Sequence, residues 1–171
     1  MAKSKKRKFD DISIMDYQRL ADAFIEETDR GAAILAASYA EDYLGKYLTS
    51  FMVDDPKIDE LFESFGPYKT FSQRIKAAYA FGLIDINKKN DLQIIKDIRN
   101  NFAHNFRIKT FENPKVNSLF DRLTIAKFKG MRDVDSKYMK LNLRGQYIMT
   151  VARFVLDAHN DMLKRKESKK R

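Results

Sequence analysis

Apolar residues recur at steps of three and four along most of this chain, and that spacing predicts helices. A first helix is expected from about Ile12 to Glu27, with Ile14, Tyr17, Leu20, Ala21, Phe24 and Ile25 on one side. A second, from Arg30 to about Val53, carries the stripe Ile34, Ala37, Glu41, Leu44, Leu48, Phe51. Asp55-Pro56 reads as an N-cap followed by proline at the first helical position, opening a short helix through Leu61 and Phe62. After the break at Gly66-Pro67, Thr70 and Gln73 have capping-box spacing and start a helix carrying Phe71, Ile75, Ala78 and Tyr79 that ends near Gly82. Asp85 or Asn87 caps the next helix, which runs to about His104, and Asn113-Pro114 repeats the cap-plus-proline signal. Residues 124–140 read as a loop or a small hairpin, and a last helix is expected from about Asn142 to Lys164. The sum is an all-α fold, a single bundle of about six or seven helices.

Composition agrees and narrows the chemistry. Six Gly and three Pro among 171 residues are too few for a many-stranded protein, while 13 Phe and 8 Tyr supply a core. The absence of Cys removes disulfides, zinc ribbons and thiol catalysis. His104 and His159 alone make no multi-histidine metal site, and neither a metal nor a cofactor is expected. No apolar run approaches the ~18 residues of a membrane helix, so the expectation is a cytoplasmic protein without membrane contact.

The formal charge of +9 is unevenly spread. Lys3, Lys5, Lys6, Arg7 and Lys8 give residues 1–8 a net +5, and Lys164, Arg165, Lys166, Lys169, Lys170 and Arg171 against Glu167 give residues 164–171 another +5. Subtracting both from +9 leaves residues 9–163 at −1. The chain thus divides into a basic tail (1–9), a helical domain (10–163) and a second basic tail (164–171), both tails expected to be disordered. They would contact nucleic acid nonspecifically through phosphate, or merely confer solubility.

Two charged residues interrupt apolar stripes. Glu41 lies within the stripe of the second helix, and Arg99 within Leu92, Ile95, Arg99, Phe102 of the fifth. Burying either charge alone is costly, so Glu41, or failing that Asp29 or Asp42, is expected to pair with Arg99. On one reading the pair only fixes helix register. On another, Arg99, the Asn100 amide and His104 surround a phosphodiester, with neutral His104 taking a ribose 2′-hydroxyl proton and Arg99 stabilising charge at phosphorus. His104, near a helix C-terminus, would alternatively serve the helix dipole and the last free carbonyls. His159 reads as a core-edge residue. Phe71, Tyr79, Phe81 and Phe102 read as core and not as a base-stacking platform.

Three segments together resemble the mannitol operon repressor family: Thr28-Asp29-Arg30-Gly31-Ala32-Ala33 with Ala37-Ser38-Tyr39; Thr70-Phe71-Ser72-Gln73-Arg74-Ile75-Lys76 with Ala78-Tyr79-Ala80-Phe81-Gly82-Leu83-Ile84; and Ile98-Arg99-Asn100-Asn101-Phe102-Ala103-His104. The resemblance covers roughly residues 12–125. It implies an all-helical fold and negative regulation of transcription; the leading expectation is a non-enzymatic homodimer that acts through a protein partner, or through the basic tails, because the pattern includes no helix-turn-helix. The third segment also resembles the R-x4-H motif of the HEPN superfamily. That likeness implies the alternative, a metal-independent endoribonuclease of the toxin or defence class. A homodimer would then form the cleft, with Arg99, Asn100 and His104 as active positions and Glu41 or Asp29 as the supporting acid.

Overall fold

A computed structural model describes residues 8–9, 24, 26–124 and 142–168. Among them it contains six helices and no strand, the all-α bundle that the periodicity predicts. The helices are α1 (Asp29–Thr49), a short 3-10 helix (Pro56–Phe62), α2 (Phe71–Ala80), α3 (Ile86–His104), α4 (Pro114–Phe120) and α5 (Leu143–Ser168). The body of the first expected helix and the expected loop or hairpin at 124–140 fall outside the described residues, apart from Phe24, Glu26, Glu27 and Thr124.

Local chemistry sets the helix starts. The Thr28 hydroxyl accepts from the Gly31 N–H, Asp55 from Lys57, Asp85 from Lys88 and Asn113 from Lys115. The Thr70–Gln73 capping box is reciprocal, the Gln73 side chain accepting from the Thr70 N–H while the Thr70 hydroxyl accepts from the Gln73 N–H. Asp85, not Asn87, is the cap of α3. Gly82 at φ 68° closes the turn after α2, a left-handed conformation in which a Cβ would be strained.

The alanine-rich α1 is the axis of the bundle. Ala32, Ala33, Ala36, Ala37 and Ala40 are fully buried, and their small side chains let neighbouring helices approach closely. It packs against α5 and α3, with α2 lying on both α1 and α3. Tyr147, fully buried on α5, ties these layers by donating to the carbonyls of Ala33 at 2.9 Å and Ile95 at 3.3 Å. Tyr47 reaches the Leu83 carbonyl and Asp161, and Tyr43 meets Nδ1 of the half-buried His159 at 3.0 Å, which places that histidine at the edge of the core.

Three sequence expectations need correction. Phe9, assigned to the basic tail, is 4% exposed and meets Phe62 edge-on at 5.2 Å, while Lys8 donates to the Phe62 carbonyl. A lone phenylalanine beside a lysine run has no periodicity to announce it. At the other end α5 continues to Ser168, so Lys164, Arg165 and Lys166 are helical, with Arg165 over the Phe51 ring at 4.3 Å. Tyr79 and Phe81 are 41% and 58% exposed, not core. The buried face of α2 instead contains Phe71, Arg74, Ile75, Ala77 and Ala78.

Candidate functional site

Glu41 on α1 and Arg99 on α3 meet across the bundle, Nη2 to Oε2 at 3.2 Å. Each charge sits where its helix turns its apolar stripe inward, so neither can reach bulk water fully. The pair is not sealed, since the two side chains remain 26% (Arg99) and 19% (Glu41) exposed. They open onto a cavity of about 420 Å³ lined also by Lys69, Thr70, Phe71, Ser72, Lys96 and Asn100. The Arg99 Nε is buried without a hydrogen-bond partner.

One wall of this groove is the first turn of α2. A helix leaves its first N–H groups without intrahelical partners. The capping box occupies those of Thr70 and Gln73, and Arg74 begins the helical ladder by donating to the Thr70 carbonyl. The N–H groups of Phe71 and Ser72 are left, both on groove-lining residues. The opposite wall is α3, where Lys96 donates to the Ser72 hydroxyl at 3.1 Å and lies 3.3 Å from Asp97.

The other candidates lie elsewhere. Asp29, the alternative supporting acid, accepts from the Phe111 N–H and pairs with Arg144 at 3.4 Å. Asp42 lies 3.6 Å from Arg74. His104 is the last residue of α3 and exposed, and it does not line the groove. At about 100° per residue, five steps along a helix turn it about 140° away from Arg99. The structure therefore brings Arg99, Asn100 and Glu41 together and leaves His104 outside. Of the basic candidates, Lys3, Lys5, Lys6, Arg7, Lys169, Lys170 and Arg171 lie outside the described residues.

Sequence reading missed two arginines that shape the site. Arg30 donates to the carbonyls of Phe102, Asn105 at 3.0 Å and Ile108 at 2.8 Å, closing the C-terminal end of α3. It does the work that the helix-end position suggested for His104. Arg74, 3% exposed, donates to the carbonyls of Tyr68, Glu41 and Lys69, and its guanidinium stacks near Phe9 and Phe62. Arg74 had a signal: it lies three residues after Phe71 and four before Ala78, inside the apolar stripe. Arg30 had none, because its partners are more than 70 residues away.

Among the described residues no cluster of metal-ligating side chains occurs, and no helix is long and apolar enough to cross a membrane. A second cavity of about 170 Å³, bordered by Asp91, Arg153 and Asp157, lies between α3 and α5, away from the motif segments. No family model, curated protein or solved structure matches the chain.

Proposed function

We infer that the chain is a regulatory binding protein of the mannitol operon repressor type, acting through a protein partner and not as a nuclease. The observation that supports this reading is the separation of Arg99 from His104. A metal-free ribonuclease needs a general base and a charge stabiliser at one phosphodiester. Here the guanidinium is held by Glu41 inside a groove with no histidine on its wall, and His104 points elsewhere. Residues 9–163 carry a net charge near −1, which gives a duplex little overall electrostatic attraction, so a partner protein is the simpler route to repression. In a bacterial host lacking its own repressor of this type, the chain should lower expression of a mannitol-operon reporter. Unchanged reporter output from folded protein would count against the reading.

One observation favours the nuclease alternative. His104 is exposed at the end of α3 and its ring makes no hydrogen bond among the described residues. In a homodimer docked over that helix end, each copy would present its histidine to the other's motif. Structured RNA incubated in EDTA with wild type and with His104→Ala separates the two. Equal inactivity is expected, and cleavage by wild type that the variant loses would overturn the regulatory reading.

A further inference from the structure

We propose that the groove between α2 and α3 is a binding site for a small phosphomonoester, an effector site that rests on reading the chain as a non-catalytic regulator. Three cationic side chains converge on it from two elements: Lys69 from the turn before α2, and Lys96 and Arg99 from α3. The positive end of α2 adds the N–H groups of Phe71 and Ser72, which the capping box leaves over. The Ser72 hydroxyl, which accepts from Lys96, and the Asn100 amide add further donors, while the Thr70 hydroxyl is spent on Gln73. Arg99 has only Nη2 engaged by Glu41, and the guanidinium stays partly exposed on the groove side. Such a set matches a compact dianion with several acceptor oxygens.

The same surroundings argue against a nucleic-acid strand. The cavity of about 420 Å³ falls in the range of small-molecule clefts. Acids stand around the cations: Glu41 within the groove, Asp97 beside Lys96, and Asp42, 55% exposed, next to Glu41. These carboxylates weaken the extended positive field that a polyanionic strand needs, whereas a monoester needs only the cations within the groove. Glu41 also offers a carboxylate to a ligand hydroxyl, so the organic part of the ester is expected to be hydroxylated.

Calorimetric titration of the full-length chain in physiological salt tests this, with inorganic phosphate, glycerol 3-phosphate and a short single-stranded RNA as probes. Saturable one-site binding of glycerol 3-phosphate is expected, tighter than that of inorganic phosphate. Lys69→Glu should weaken it about tenfold or more, because one charge-assisted contact becomes a repulsion. Lys69 is exposed and its ammonium has no hydrogen-bond partner among the described residues, so this variant keeps the fold. Lys96→Met should weaken binding by a similar factor. Absence of saturable binding overturns the proposal, as does binding that both variants leave unchanged, which would assign it to the basic tails. Groove-dependent binding of RNA in preference to the monoester overturns it in favour of a strand. The reporter assay fails or succeeds independently: an effector bound without repression removes the regulatory reading and leaves the site.

Discussion

Arg74 and Arg99 are both held by Glu41, one through its backbone carbonyl and the other through its carboxylate. They lie in opposite kinds of surroundings. Arg74 is buried, donates to three carbonyls and lies near two aromatic rings. Arg99 is partly exposed on a groove, with a single carboxylate partner. A guanidinium whose donors are spent on carbonyls joins segments and has nothing left for a ligand. One held from a single side is oriented, yet still able to bind. The resemblance segments therefore contain two sorts of arginine, and only the open one is a candidate for recognition.

The strongest way to break this contrast is Arg74→Met. It leaves the carbonyls of Tyr68, Glu41 and Lys69 without their donor and removes the cation near Phe9 and Phe62. A loss of about 3–5 kcal/mol is expected in urea denaturation, as for other buried charged networks cut on one side. A loss below about 1 kcal/mol would show that Arg74 is dispensable to the fold. Arg30→Met should follow at about 2–3 kcal/mol, since the end of α3 loses a charged donor shared by three carbonyls. Hydrogen exchange should quicken first around Asn105 and Ile108.

Helix caps were the most legible part of the fold because they are local. Thr70 with Gln73, and Asp55 and Asn113 each before proline, place donor and acceptor within three residues of one another. The apolar stripes announced Glu41 and Arg99 for a related reason: a charge at a core position needs a partner, and the acid on the facing helix is the nearest solution. What could not be read depends on distant chain. Arg30 closes a helix end more than 70 residues away, and Phe9 enters the core from a segment whose composition says tail. His104 shows the limit of a motif, because R-x4-H fixes a spacing while the helix turns the two side chains apart.

Gly45→Ala probes the packing that seals Arg74. The Phe9 ring lies so close to Gly45 that an added Cβ would meet its edge. Alanine gains about 1 kcal/mol of helix propensity over glycine, while overpacking a filled core costs about 1–3 kcal/mol. A net loss of about 1 kcal/mol is expected, measured by thermal unfolding. A gain would mean that Phe9 moves aside without cost and that Arg74 does not depend on it.

Arg99→Met should have the smallest effect on stability, below about 1 kcal/mol, because its pair is partly hydrated and lines an open groove. Two contributions set that figure. The substitution leaves Glu41 without its partner, which is costly in a sealed core, but here water from the groove can solvate the carboxylate. The methionine side chain also keeps much of the arginine's apolar contact with the helix surface. A double-mutant cycle with Glu41→Gln isolates the ion pair itself, and a coupling of about 0.5–1 kcal/mol is expected. A coupling above about 3 kcal/mol would place Arg99 in the same class as Arg74, a buried clamp. A small coupling together with lost binding of glycerol 3-phosphate would leave the two arginines as different as their surroundings are.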